Sequence, residues 1–129
     1  MYNKSDKENI DHYIDARRRG NLSAVMSFSD WQEMNTNLKT AFIGKTAPNG
    51  IKIASVSKHF VDRVIGTIYQ KRSGVSIKNL QKIIANGQIA EVKTDKKGRK
   101  SQRIYIDELC DITINPETGE LIQCNPNSK

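Results

Sequence analysis

The fold is decided by the stretch KSQRIYIDELCDITIN, residues 100–115. Apolar residues take every second position in each half of it: Ile104, Ile106, Cys110, Ile112 and Ile114. A period of two is the pattern of β-strands with one buried face. The opposite face then carries polar side chains, namely Ser101, Arg103, Tyr105, Thr113 and Asn115, with Lys93 beside them on the preceding strand.

Working outward from this stretch, we predict four strands, over residues 88–94, 100–106, 109–115 and 121–125. The connections DKKGR and PETGE contain glycine together with aspartate or proline. Short connections of this composition between alternating runs predict an antiparallel meander.

Helical periodicity precedes the strands. We predict four helices: residues 8–19, a run that starts at Ser29 and ends at Gly44, a run capped by Ser57 with an apolar stripe to Tyr69, and a run capped by Ser76 and ended by Gly87. Helices first and sheet second is typical of the α+β class. We expect the helices on one face of a four-stranded antiparallel sheet, with the other face open or partly open.

A chain of 129 residues fits one compact unit. The loop of residues 45–50 separates a helical N-terminal extension, residues 1–50, from an α+β core, residues 51–129. No apolar run approaches the roughly 20 residues that cross a bilayer.

Cys110 and Cys124 fall in predicted strands and are interpreted as small buried apolar residues, with a disulfide between neighbouring strands as the alternative.

The charge is concentrated in the middle of the chain. The net charge is +7, but residues 45–103 contain fourteen lysines and arginines against three acids, a balance of +11. Residues 1–44 are neutral, and residues 104–129 carry −4. A concentrated positive field attracts polyanions, so nucleic acid is the first partner to consider. A merely soluble basic surface is the alternative reading.

The order of four motifs, SKHFVDR, RSGVSIKNLQ, KGRKSQRIYI and DITINPETGELIQCNP, resembles toxin and phage-associated nucleases with the barnase, EndoU, colicin and RelE type of fold. The resemblance covers about seventy residues, 57–126, and leaves residues 1–50 outside it. It extends to the C-terminal nuclease domains of contact-dependent growth-inhibition effectors. It implies an endoribonuclease that cleaves RNA, transfer RNA foremost, on the concave sheet face without a metal ion or cofactor.

The resemblance also implies the site. His59 matches the family's histidine near a helix start, Arg63 the basic residue one turn later, Arg103 the basic strand position and Thr113 the hydroxyl of the ITINP strand. Histidine suits proton transfer near neutral pH, whereas arginine stays charged and grips two phosphate oxygens. The expected RNA-binding residues are Lys93, Arg99, Lys100, Tyr105 and Asn115. No CxxC or HExxH is present, so no metal site is predicted.

Other readings stay open. A non-catalytic nucleic-acid-binding module fits the charge equally well, and so does a domain that recognises an acidic protein. His59 beside an apolar stripe is also typical of a structural or surface residue, and His12, among acids, is taken as a surface residue. If the chain is a toxin, we expect a cognate immunity protein, delivery within a larger secreted effector and action in the bacterial cytoplasm.

Overall fold

The computed structural model describes residues 4–19, 27–66 and 74–126. Over these ranges it contains four helices and five strands, which confirms the α+β class. The elements are α1 (Lys4–Arg18), α2 (Phe28–Phe42), β1 (Ser55–Val56), α3 (Lys58–Ile65), α4 (Ile77–Asn86), β2 (Gln88–Thr94), β3 (Lys100–Ile106), β4 (Cys110–Ile114) and β5 (Glu120–Pro126).

The sheet has the strand order β1-β5-β4-β3-β2. Strands β2 to β5 form the antiparallel meander that the alternating runs predict. The prediction of a four-stranded, purely antiparallel sheet is wrong in one respect, because β1 adds to β5 in parallel through Ser55↔Glu120 and Val56↔Leu121. Two residues are too short to show a period of two, so the sequence pattern gave no sign of this strand.

The core lies between the helices and one face of the sheet. Helix α4 packs on β3 and β4, and α3 packs on β5. Trp31 and Phe42 of α2 belong to the same buried cluster as Ile112 and Ile114 of β4, so α2 and the sheet share one core. Within the described ranges, no helix has the length and apolar character needed to span a membrane.

The two cysteines lie in this core. Cys110 and Cys124 are fully buried and free, which confirms the interpretation as small apolar residues. Burial raises the pKa of the Cys110 thiol to about 11 and that of Cys124 to about 12. Both thiols are therefore protonated and unreactive at neutral pH.

Serine caps set the helix starts. Ser57 and Ser76 cap α3 and α4 as predicted, each accepting a hydrogen bond from a backbone N–H three residues on. The cap of α2 is Ser27 and not Ser29, because the helix begins two residues earlier and Phe28 packs against Trp31. Helix α3 ends before Gly66 at a φ of 92°, and the part of its predicted stripe at Ile68 and Tyr69 lies outside the described residues.

A buried carboxylate joins three helices. Asp62 of α3 is 3% exposed; its Oδ1 accepts a hydrogen bond from the Trp31 indole at 2.8 Å, and its Oδ2 lies 2.8 Å from His12 Nε2. Burial of a carboxylate is costly unless its oxygens are paired. His12 is therefore a partly buried partner of Asp62 and not the surface residue that the sequence indicated.

Ser57 fastens α3 to the sheet. Its hydroxyl accepts from the Phe60 N–H at 3.0 Å and donates to the Ile122 carbonyl at 2.7 Å, whereas the Ser76 hydroxyl serves as a cap.

We expect Ser76→Ala to lower the free energy of unfolding by about 1 kcal/mol. Ser57→Ala should cost about 1 kcal/mol more, because it also leaves the Ile122 carbonyl without this donor. Urea unfolding of both variants measures the difference, and equal losses would contradict the second role.

Candidate functional site

Three polar side chains form a row across the sheet face that points away from the core. Arg103 of β3 pairs with Thr113 of β4, and Thr113 pairs with Gln123 of β5. Neighbouring strands lie about 4.8 Å apart, so the row spans about 10 Å between the backbones of Arg103 and Gln123. Strand backbones hold these three positions in fixed relation.

His59 continues this row beyond β5. It is the second residue of α3, and the Gln123 side chain lies close enough to raise the pKa of its ring. The position follows from the Ser57 contacts, since Ser57 N also donates to the Leu121 carbonyl at 2.9 Å. The chain therefore leaves β1, turns at Ser57 and places the first turn of α3 against β5.

The environment of His59 favours its neutral form. Partial burial lowers the pKa of the imidazole below its usual 6.5, Asp62 one turn later opposes this shift, and the positive charge of Arg63 adds to it. The residue as a whole is still solvent-exposed. An accessible and neutral imidazole at pH 7 is able to accept a proton.

A second row, formed by Asp111 and Asn125, orients Arg103 and Arg63. Asp111 of β4 pairs with Asn125 of β5, and the Asn125 amide donates to Asp111 Oδ1 at 3.2 Å. Arg63 of α3 donates to Asn125 Oδ1 at 2.7 Å, and Arg103 Nε donates to Asp111 Oδ2 at 3.1 Å. The Arg103 guanidinium also lies 4.3 Å from the Tyr105 ring centre. Asp111 thus orients Arg103 directly and Arg63 through Asn125.

The strand residues of these rows form the floor of two adjoining depressions, whose linings do not include His59 or Arg63 of α3. The first encloses about 410 Å³ and is lined by Ala90, Glu91, Lys93, Ser101, Arg103, Asp111, Thr113, Gln123 and Asn125. The second encloses about 380 Å³ and is lined by Asp95, Arg99, Lys100, Ser101, Thr113, Asn115, Glu120, Ile122 and Gln123. Ser101, Thr113 and Gln123 line both, so the depressions form a continuous polar trough.

The structure brings three of the four residues expected to be catalytic to the first row or its end: His59, Arg103 and Thr113. Arg63 lies in the second row and is 5% exposed, so its guanidinium faces Asn125 rather than open solvent. An arginine so buried is suited to holding neighbouring side chains in place.

The residues expected to bind RNA lie around the trough. Lys93 lines the first depression, and Arg99, Lys100 and Asn115 line the second. Arg99 forms an exposed ion pair with Asp95 at 2.7 Å, and Lys100 Nζ donates to Thr94 Oγ1 at 2.7 Å.

Asn115 and Tyr105 have structural contacts as well. Asn115 Oδ1 accepts from the N–H groups of Glu117 and Thr118, so this side chain also shapes the β4–β5 turn. Tyr105 lies beneath the Arg103 guanidinium, where it supports the arginine.

Sequence reasoning missed Asp111, Gln123 and Asn125. Alternation in DITI places Asp111 on the polar face, so the acid was detectable. Gln123 and Asn125 were harder to place, because the pairing shifts between Thr113 and Ile114: Ile114 pairs with Leu121 but Thr113 with Gln123. This irregularity, a β-bulge, inserts one residue and hides the face to which β5 side chains point.

Among the described side chains, no group of three or more histidines, cysteines or carboxylates is placed to hold a metal ion. The cations in the trough are Lys93, Arg99, Lys100 and Arg103, and its lining also contains four carboxylates, Glu91, Asp95, Asp111 and Glu120.

Comparison with protein-family models finds no match, and no curated protein and no solved structure is significantly similar to the chain.

Asp62 sets part of the electrostatic environment of His59. We expect His59 to titrate below pH 6.5, and Asp62→Asn to lower its midpoint further, because the carboxylate stabilises the imidazolium. Asp15→Asn on α1 is the matched control, since Asp15 forms an exposed pair with Arg19. Titration of the histidine ring resonances by NMR measures the His59 midpoint in each variant. A His59 midpoint that Asp62→Asn leaves in place would refute this coupling.

Proposed function

We propose that the chain is an endoribonuclease that needs no metal ion, a toxin domain of the barnase, EndoU, colicin and RelE type. The observation that supports it most is the row of His59, Gln123, Thr113 and Arg103, with a titratable group at one end and a fixed cation at the other. Cleavage of RNA by its own 2′-hydroxyl is a transesterification, which a proton acceptor for that hydroxyl and a positive charge at the phosphate accelerate.

In the proposed reaction the scissile phosphate lies over Thr113 and Gln123. The neutral ring of His59 takes the proton of the 2′-hydroxyl, and the 2′-oxygen forms a bond to phosphorus. Arg103 stabilises the charge on the five-coordinate phosphorus, and Thr113 donates a hydrogen bond to a phosphate oxygen. The bond to the 5′-oxygen then breaks, and that oxygen takes a proton from water. The products are a 2′,3′-cyclic phosphate and a 5′-hydroxyl end.

Within this proposal Arg63 is a positioning residue. Its buried guanidinium holds Asn125, which donates to Asp111, and Asp111 in turn orients Arg103. Preorganised charge is effective because the enzyme does not reorganise during the reaction. The two rows together would hold Arg103 in position before RNA binds.

Lys93, Arg99 and Lys100 would bind the RNA backbone along the trough, with transfer RNA as the proposed substrate. Asn115 and Tyr105 would contact a base or sugar at its rim. A toxin of this kind would act in the bacterial cytoplasm after delivery within a larger effector. Its immunity protein would present carboxylates to the cations that line the trough, Lys93, Arg99, Lys100 and Arg103.

The alternative is an RNA-binding module without catalysis. It is favoured by one observation: His59 is the one residue of the row suited to proton transfer, whereas cleavage involves two proton transfers, from the 2′-hydroxyl and to the 5′-oxygen. Strand residues that carry hydroxyl, amide and guanidinium groups are equally suited to holding a phosphate without cleaving it.

The first experiment is incubation of the protein with total bacterial RNA in excess EDTA. We expect discrete fragments whose 5′ ends accept phosphate from polynucleotide kinase without prior phosphatase treatment, since the proposed reaction leaves 5′-hydroxyl ends. His59→Ala should lose cleavage and retain salt-dependent RNA binding. Lys82→Ala on α4, exposed on the opposite side of the sheet, is the control for loss of a positive charge. Binding by both proteins without cleavage by either would favour the module and overturn the enzyme.

Arg103 offers a second test. Arg103→Ala should lower kcat by about 10²- to 10³-fold, the usual effect of removing one group that stabilises a transition state. Arg103→Lys retains the charge but loses the planar fork that contacts Asp111 and Tyr105, so we expect it to restore only part of the activity. Single-turnover cleavage at saturating enzyme measures the chemical step. Full activity of Arg103→Lys would exclude a role for the guanidinium geometry.

A further inference from the structure

The β2–β3 hairpin extends the trough as a basic projection. Strands β2 and β3 remain paired as far as Thr94↔Lys100. Residues 91–99 are all exposed. Between Glu91 and Lys100 the sequence carries five cations, Lys93, Lys96, Lys97, Arg99 and Lys100, against two carboxylates. The hairpin therefore carries a net charge of +3 over these ten residues.

The tip of this hairpin is ordered by its own hydrogen bonds. Asp95 Oδ1 accepts from the N–H groups of Lys97 and Arg99, each at 2.9 Å, and the Asp95 N–H donates to the Arg99 carbonyl at 3.0 Å. Gly98 supplies the φ of 81° that closes the turn. Asp95 is engaged with the turn and with the Arg99 side chain, which leaves the tip with the charges of Lys96 and Lys97.

The turn end of the hairpin borders the same trough as the row. The second depression is lined both by Arg99 and Lys100 of the hairpin and by Thr113 and Gln123 of the row. Lys100 lies three residues, or about 10 Å, along β3 from Arg103, and Lys96 and Lys97 lie beyond it in the turn. A strand of RNA whose scissile phosphate lies over Thr113 therefore reaches the hairpin with phosphates distant from the bond that breaks.

We propose that the β2–β3 hairpin, with Lys96 and Lys97 at its tip, is a second RNA-binding surface that selects long RNA over short oligonucleotides. This inference rests on the proposed function, because the trough is what orients RNA toward the hairpin. A dinucleotide with one phosphodiester has no further phosphate to place there. Since the backbone of the tip is already ordered, binding a phosphate there costs little backbone conformational entropy.

The test compares transfer RNA with a dinucleoside monophosphate. Lys96→Gln/Lys97→Gln removes two charges from the tip, and Lys78→Gln/Lys82→Gln removes two exposed charges from α4 as the matched control. We expect the tip variant to lower the ratio of kcat/KM for transfer RNA to kcat/KM for the dinucleotide at least tenfold at low salt, mainly through KM. The control should keep the wild-type ratio. Equal ratios in the two variants would overturn the proposal.

Salt dependence of binding separates this inference from the enzyme proposal. This test measures transfer RNA bound by the His59→Ala protein. The slope of log Kd against log salt should become shallower by about 1.4 to 1.8 when Lys96 and Lys97 are replaced, because two fewer contacts with phosphate release fewer counterions on binding. A shallower slope without any cleavage by the wild type would retain the RNA-binding hairpin and remove the enzyme. An unchanged slope would remove the hairpin, and an acidic protein would then be the partner to test.

Discussion

The structure depends on the packing of α3 against β5, which begins where the pairing of β1 with β5 ends. Strand β1 pairs with β5 for two residues only, and Ser57 then turns the chain into a helix while it remains bonded to Leu121 and Ile122. The rest of that edge is covered by α3, which contacts β5 more than it contacts any other element. Because side chains of a helix repeat every three to four residues and those of a strand every two, His59 meets Gln123 and Arg63 meets Asn125.

Two buried carboxylates stabilise the neighbourhood of α3 from opposite sides. Asp62 is satisfied by Trp31 and His12, and Asp111 by Asn125 and Arg103. In each case both oxygens have partners, which offsets the cost of removing the charge from water. The first carboxylate joins the helices, and the second orients the side chains of the polar face. Helix α3 therefore contributes to the packing of the helices through Asp62 and to the orientation of the polar side chains through Arg63.

Local patterns predicted much of this architecture. The period of two in residues 100–115 and the caps at Ser57 and Ser76 gave the meander and two helix starts, since each is determined within a few neighbouring residues. The partnership of His12 with Asp62 spans 50 residues, and the bulge that turns Gln123 toward Thr113 depends on pairing between strands. Such contacts form only in the folded chain, and a single sequence carries no local signal for them.

Helix α1 is connected with the candidate site through Asp62. Asp62 lies one turn after His59 on α3, where residues three apart are neighbours, and His12 of α1 holds its other side. Without α1, a buried carboxylate would lose its contact with His12, and the remaining histidine nearby would be His59. His12 is the smallest of the causes that lower the pKa of His59, after burial and Arg63, and loss of α1 would remove it. The docking of α1 thus helps to keep His59 neutral, although α1 contributes no residue to the trough.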